Sequence, residues 1–134
     1  MIGSPGFIAA VLVITLGLAS CSPNTSPIQA AQTVGAFSVS LTVEPDPPVP
    51  MQDALLEVKV RDSKGQPIAG ASVSMDLTMP GMRMPMNRPD VGESDGGVYR
   101  ARTLFTMAGN WRVQVVVTYG GKSETAIFDL TTGE

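Results

Sequence analysis

Four methionines lie within eight residues of this chain, in the segment MPGMRMPM that begins at residue 79. The chain has no histidine, and its one cysteine is Cys21. Thioether sulfur is neutral, soft and polarisable, so it selects Cu(I) over zinc and over hard cations. It also binds without losing a proton, unlike a thiol or a carboxylic acid. The segment therefore raises the hypothesis of a soft-metal site. Its candidate ligands are Met79, Met82, Met84 and Met86.

The spacing of these methionines is compatible with a shared ion. In an extended segment, residues two apart project to the same side, so Met82, Met84 and Met86 are expected on one side and Arg83 on the other. Side chains at this spacing lie roughly 6 to 7 Å apart, which flexible thioethers can close. Met79 joins the group if Pro80 and Gly81 turn the chain back. Arg83, on the opposite side, is expected to steer an acidic partner.

Two other interpretations of the methionines stay open on spacing alone. Methionine is an adaptable side chain that fills irregular core gaps and also forms promiscuous binding surfaces. Met75 is predicted to be core, because it alternates in phase with the apolar residues Val73 and Leu77. Met107 is predicted to be core as well, near the inward residue Phe105. The segment 79–86 is thus a metal site, a docking surface or core filler.

Several functional classes are excluded by composition. Without histidine, the chain cannot build a Ser-His-Asp or Cys-His arrangement or a histidine-rich zinc site, and its one cysteine, Cys21, is predicted below to carry lipid. Asp90, Glu93 and Asp95 share one loop, but they lack the ligand order of an EF-hand calcium site. We therefore expect a protein that is not an enzyme. The nine basic and twelve acidic residues are interspersed and give a net charge of −3, which predicts no nucleic-acid partner.

Alternating apolar and polar residues predict the elements that must position the methionines. Inward-facing residues are expected at every second position in six segments, with turns rich in glycine and proline between them. The segments begin at Phe37, Ala54, Ala71, Val98, Asn110 and Lys122, and the last two form a hairpin around Gly120 and Gly121. No helical period occurs after residue 20. The pattern predicts an all-β fold, an immunoglobulin-like antiparallel β-sandwich of about seven strands, over residues 36–134.

The first 35 residues are predicted to target and tether this domain. Residues 1–20 are interpreted as a lipoprotein signal peptide, with an apolar run from Phe7 to Leu18, although no Lys or Arg precedes that run. The sequence Leu-Ala-Ser-Cys that ends at Cys21 resembles a bacterial lipobox, so Cys21 is the predicted site of lipidation. Residues 21–35 are rich in Ser, Pro and Gln and are predicted to be a flexible tether. The expected location is the cell envelope, extracytoplasmic and lipid-anchored. Ser22 after the cysteine resembles the pattern for the periplasmic face of a Gram-negative outer membrane.

Two longer stretches resemble a known family. LTMPGMRMPM, at the end of a predicted strand, and GGVYRARTLFTMAGNWRVQVVV, which follows it, are similar to the YtkA-like domain, which is related to FixH proteins. The resemblance covers about residues 36 to 130. It implies an envelope or membrane-anchored module connected with copper handling or cytochrome oxidase assembly. The family's methionine motif falls here on Met79, Met82, Met84 and Met86, and the lack of histidine favours Cu(I) over Cu(II).

The sequence therefore leads to two functional hypotheses from different classes. In the first, the chain is a lipid-anchored extracytoplasmic module that binds Cu(I) through methionine thioethers. It either passes the ion to a copper-handling or oxidase-assembly protein or sequesters it. In the second, it is a metal-free adaptor that docks a membrane oxidase or an efflux component through the same methionine-rich end.

Overall fold

The computed structural model describes residue 3 and residues 28–133. Apart from residue 3, the predicted signal peptide lies outside the described residues, and so does the predicted lipidation site Cys21. Eight strands follow one another along the described chain. They are β1 (Ile28–Val34), β2 (Phe37–Glu44), β3 (Asp53–Arg61), β4 (Ser72–Thr78), β5 (Val91–Asp95), β6 (Val98–Leu104), β7 (Asn110–Tyr119) and β8 (Lys122–Thr131). Across the described residues, no helix is long and apolar enough to cross a membrane.

The strands form two sheets that face each other. One sheet has five strands in the order β1-β2-β3-β6-β5, and the other has three in the order β4-β7-β8. All neighbouring strands are antiparallel. The predicted all-β, immunoglobulin-like sandwich is confirmed.

The core lies between the inner faces of the two sheets, where the alternation in the sequence placed it. Every second residue of β3, β6 and β7 is buried, as in the run Trp111, Val113, Val115 and Val117. Trp111 and Phe105 pack edge to face, with ring centroids 5.3 Å apart and an angle of 83° between the rings. This aromatic pair lies under one end of the sandwich, because Phe105 follows β6 and Trp111 is the second residue of β7.

Two strands were not expected from the sequence. β1 lies within residues 21–35, so the prediction of a flexible tether is wrong for residues 28–34, which pair with β2. The side-chain amide of Gln32 also bonds to the backbone of Ile127 in β8, donating to its carbonyl and accepting from its N–H. β5 lies in a segment predicted to be loop. It is an edge strand that pairs with β6 although most of its side chains are exposed.

The loops gather at two ends of the sandwich. We call one the methionine end, formed by the loops 45–52, 79–90 and 105–109. The other is the far end, formed by the loops 62–71, 96–97 and 120–121. β3 begins and β6 ends at the methionine end, because the two strands pair antiparallel. β4 also ends there, since Asn87 bonds both to Leu77 near the end of β4 and to Leu104 at the end of β6.

Candidate metal centre

The methionine segment begins where β4 leaves the sheet. Met79 follows the last residue of β4 and is buried, with 8% of its surface exposed. Gly81 then adopts a φ of 83°, a conformation that favours glycine. The backbone N–H of Met82 donates to the carbonyl of Met79 at 3.1 Å. The turn at Pro80 and Gly81, on which the contribution of Met79 was conditional, is present, and it brings the backbone of Met82 back to that of Met79.

Met84 comes closest to the core of the three later methionines. Its Sδ accepts a hydrogen bond from the backbone N–H of Met79, with 3.2 Å between nitrogen and sulfur. Its side chain is half-buried and packs against the core. Sulfur is a weak acceptor, so this contact positions the thioether without binding it tightly. Two of the four candidate ligands, Met79 and Met84, are thus in direct contact.

Asn87 fixes the end of the segment to both sheets. Its carbonyl accepts from the N–H of Leu77 in β4 at 2.9 Å. Its side chain donates to the carbonyl of Leu104 at 3.2 Å and accepts from the hydroxyl of Thr103 at 3.3 Å, both in β6. The methionine segment is therefore a loop whose two ends are held by the framework, while Met82, Arg83 and Met86 are exposed between them.

A shallow groove of about 530 Å³ runs beside this loop. Met84 and Met86 both line it, together with Leu104 and Thr106 of the neighbouring β6 end. Met82 does not line it. The expectation that Met82, Met84 and Met86 share one environment is therefore only partly met: Met82 and Met86 are 49% and 70% exposed, whereas Met84 is half-buried.

The candidate ligand atoms of the methionine loop are sulfurs, and Asp53 is the one carboxylate residue among the described residues that lines the groove beside it. Within residues 28–133, no three residues among His, Cys, Asp and Glu form a group that could hold a metal ion. Asp90, Glu93 and Asp95 do not make such a group. The carboxylate of Glu93 instead accepts from the backbone N–H of Gly70 at 3.0 Å and of Gly97 at 3.4 Å. The bond from Gly70 is the main reason that the pKa of Glu93 is lowered.

The structure adds two methionines that the sequence analysis did not assign to this end. Met107 was predicted to be core, and that prediction is wrong, because 45% of its surface is exposed. Met51 is 67% exposed. Met51 lies two residues before β3 and Met107 lies three residues after β6. Since β3 and β6 pair antiparallel, the start of one and the finish of the other must meet at the same end. That pairing is the signal that could have found them.

A family model, described as YtkA-like, matches residues 31–116. The match spans β2 to β6, parts of β1 and β7, the whole methionine segment and Met107, and it ends before β8. The chain belongs to the YtkA-like family. The resemblance predicted from the methionine motif is therefore confirmed. The match begins within β1, which agrees with the structure in placing part of the predicted tether inside the domain.

Two solved structures share the fold of this YtkA-like chain. A DUF4426 family protein from Pseudomonas aeruginosa PAO1 is 15% identical with a TM-score of 0.57, over 76% of this chain and 94% of that one. The PmoD soluble domain from Methylocystis sp. ATCC 49242 (Rockwell) is 14% identical with a TM-score of 0.52, over 77% of this chain and 96% of that one. At these identities the likeness shows the fold alone. No curated protein sequence matches this chain closely enough to count as a relative.

Proposed function

We propose that this YtkA-like protein is a lipid-anchored extracytoplasmic module that binds Cu(I) through methionine thioethers. The candidate ligands are Met79, Met82, Met84 and Met86. The protein passes the ion to a partner or sequesters it, and no catalytic step is assigned to it. Lipid on Cys21 holds the domain at a membrane surface, where copper-handling and oxidase-assembly proteins are the expected partners.

One observation carries this proposal: four thioethers lie on a single loop that is held to the framework at both ends. Met79 and Met84 are in contact through the 3.2 Å hydrogen bond, and Met84 shares the groove with Met86. Met82 is held near Met79 by the backbone bond of the turn. Because these soft sulfur donors occur without a cluster of harder ligands in the described residues, the arrangement suits Cu(I) better than zinc or calcium.

The exposure of the sulfurs favours transfer by ligand exchange. Met82 and Met86 are accessible to an incoming ion, whereas the sulfur of Met84 lies lower, against the core. An ion bound first by the exposed thioethers gains Met84 as the side chains close around it. A partner reverses this order, replacing one thioether at a time. Arg83, which is exposed on the same loop, offers a positive charge to an acidic partner surface.

The proposal is tested by anaerobic titration of the full chain in detergent with Cu(I), in competition with a chromogenic chelator and at two pH values. The wild-type protein is expected to compete for one ion at the loop, with nearly the same affinity at both pH values, because thioethers carry no proton to lose. The triple variant Met82→Leu, Met84→Leu and Met86→Leu is expected to lose this competition while it keeps the fold.

Met75→Leu is the matched control. Met75 is a core methionine with 1% of its surface exposed, so this change removes a thioether without touching the loop. Its copper affinity should equal that of the wild type. A triple variant that binds copper as well as the wild type would contradict the assignment of the ligands.

The rival function, a metal-free adaptor, is favoured by the apolar exposure around the groove. Met82, Met86 and Leu104 are all at least 40% exposed, as expected of a docking surface for a membrane oxidase or efflux component. Leucine substitutions separate the two functions, because they keep an apolar surface but remove the sulfur donors. If the wild-type protein fails to compete even with a weak chelator, the adaptor function takes the place of copper binding.

A further inference from the structure

Two exposed thioethers at the methionine end lie outside the 79–86 loop. Met51 and Met107 both keep about half or more of their surface in contact with solvent. Large apolar side chains that are exposed together, rather than singly, mark an interaction site. Neither residue belongs to the family motif on which the proposed function rests.

Backbone contacts bring these two residues together. The N–H of Met51 donates to the carbonyl of Phe105 at 2.8 Å, and Phe105 is only two residues before Met107. Standard bond lengths then place the Cα atoms of Met51 and Met107 at most about 12 Å apart. Methionine has three rotatable bonds beyond Cα, so two such side chains can place their sulfurs on a common ion across this span.

The backbone under both residues is fixed. The carbonyl of Met107 accepts from the indole N–H of Trp111 at 3.0 Å and from the hydroxyl of Thr132 at 3.2 Å. Met51 has a φ of 62°, a left-handed conformation that is disfavoured for a methionine. Residues held in such conformations cluster at ligand clamps and other functional sites. The two thioethers are therefore flexible side chains on an ordered base.

The loop 105–109 joins this pair to the proposed copper site. Thr106 lines the groove that also contains Met84 and Met86. On the same loop, Gly109 lies against Met79: a Cβ placed on Gly109 would come within 3.0 Å of the Cε of that side chain. Met107 thus lies between one residue that borders the groove and another that contacts a candidate ligand.

We infer that Met51 and Met107 form a second pair of thioether ligands, which binds a Cu(I) ion beside the 79–86 loop. The inference rests on the proposed function, because it assigns the same soft ion to both positions. A pair of exposed thioethers holds the ion less tightly than a fuller sulfur set does. The pair of Met51 and Met107 therefore receives the ion before the 79–86 loop binds it, or releases it afterwards. Copper stays Cu(I) throughout this exchange.

The test uses the full chain in detergent with ¹³C-labelled methionine methyl groups and Ag(I), a redox-inert ion with the same soft preference. Each Cε resonance is assigned by a single Met-to-Leu variant. The signals of Met51 and Met107 are expected to shift together with one saturable curve, at a higher silver concentration than those of the 79–86 loop. The core residue Met75 is the internal control and should not shift.

Variants then test whether the two residues act as a pair. Met51→Leu keeps the exposed apolar surface and is expected to remove the silver-dependent shift of Met107, and Met107→Leu should do the same to Met51. If the Met107 signal still shifts in Met51→Leu, or the Met51 signal still shifts in Met107→Leu, the two residues do not bind as a pair. Shifts confined to the 79–86 loop overturn this inference and leave the proposed function standing. The absence of any methionine shift overturns both.

Discussion

The loops at the two ends of the sandwich pack against different kinds of atoms. At the far end, Gly97 has no room for a side chain, because a Cβ there would lie 2.7 Å from the Cβ of Pro67 and 3.1 Å from the backbone nitrogen of Ile68. At the methionine end, the atom nearest to a Cβ on Gly109 is the flexible tip of Met79. At the far end the glycine packs against the proline ring and rigid backbone atoms, whereas at the methionine end it packs against the flexible end of a thioether side chain.

Polar contacts follow the same division. At the far end, the hydroxyl of Tyr99 donates to the carbonyl of Ile68 at 2.8 Å and accepts from the N–H of Ala71 at 3.0 Å. Glu93 adds its bonds to Gly70 and Gly97. At the methionine end, the hydrogen bonds hold the bases of the loops, while the side chains of Met51, Met82, Met86 and Met107 extend into solvent.

This difference separates stability from the proposed function. At the far end, Gly97, Tyr99 and Glu93 make close contacts with backbone atoms, so changes to these residues should alter folding and not copper binding. The methionine end has a fixed base and adaptable side chains, which is the combination that a binding site for an exchanging ion requires. Leucine substitutions there should alter binding and leave folding nearly as it is.

The largest expected effect comes from Gly97→Ala at the far end. Gly97 has a φ of 79°, and its Cβ would meet Pro67 and the backbone of Ile68. The left-handed conformation and the overpacking together should lower the free energy of unfolding by about 2 kcal/mol or more. Urea denaturation followed by the fluorescence of Trp111, the only tryptophan, measures this change.

Gly96→Ala is the matched control for that variant. Gly96 precedes Gly97 in the same turn, but a Cβ there would have only the Cβ of Ala69 as a neighbour, at 3.8 Å. It should change stability by less than about 0.5 kcal/mol. Equal losses from the two substitutions would show that the far end is not closed in the way described. Copper competition should be unchanged in both.

A smaller effect on stability is expected from Met84→Leu at the methionine end. The change conserves volume and removes one weak N–H to sulfur bond, so the free energy of unfolding should fall by less than about 1.5 kcal/mol. The copper affinity should fall clearly in the same variant. A large loss of stability with unchanged copper affinity would make Met84 a core residue and not a ligand.

The smallest expected effect is on the stability of a Glu93 variant at acidic pH. Its folded pKa is lowered, chiefly by the bond from the N–H of Gly70, so the carboxylate stabilises the fold at neutral pH. That contribution is present above about pH 4.3, the ordinary glutamate value, and is lost as the pH falls through the lower folded pKa. Glu93→Gln should therefore lose less stability than the wild type on acidification. Denaturant midpoints between pH 6 and pH 3 measure the difference.

Asp95→Asn is the comparison for that prediction. It removes the same charge from the same strand, β5, but leaves the bonds of Glu93 to Gly70 and Gly97 in place. Its stability should fall more steeply with acid than that of Glu93→Gln. Identical pH profiles for the two variants would mean that the contacts of Glu93 contribute nothing.

The sequence predicted the sandwich because its central strands bury one face. Alternation identified β2, β3, β4, β6, β7 and β8, whose inward residues form the core. It missed β1 and β5, which are edge strands held mainly by backbone pairing. In β5 only Val91 is partly buried, so the sequence of this strand has no alternation of apolar and polar residues that could predict it. Strands held by backbone hydrogen bonds alone do not require a particular pattern of side chains, so the sequence does not reveal them.

The candidate site was predictable in its chemistry but not in its extent. The four clustered methionines and the turn at Pro80 and Gly81 follow from local sequence, and the structure contains that turn. The positions of Met51 and Met107 depend on the pairing of β3 with β6, whose paired residues are about forty to fifty positions apart in the chain. Met107 was predicted to be core because it is near Phe105, but the chain has already left β6 at Leu104 and only Phe105 turns inward.

The central claim is that sulfur alone binds Cu(I) at the methionine end. X-ray absorption at the copper edge, on the full chain loaded with Cu(I) in detergent without oxygen, tests it most directly. At one equivalent of Cu(I), the account predicts a first coordination shell of sulfur, with fewer sulfur neighbours in the Met82→Leu, Met84→Leu and Met86→Leu variant. A shell of nitrogen or oxygen, unchanged in that variant, would contradict it.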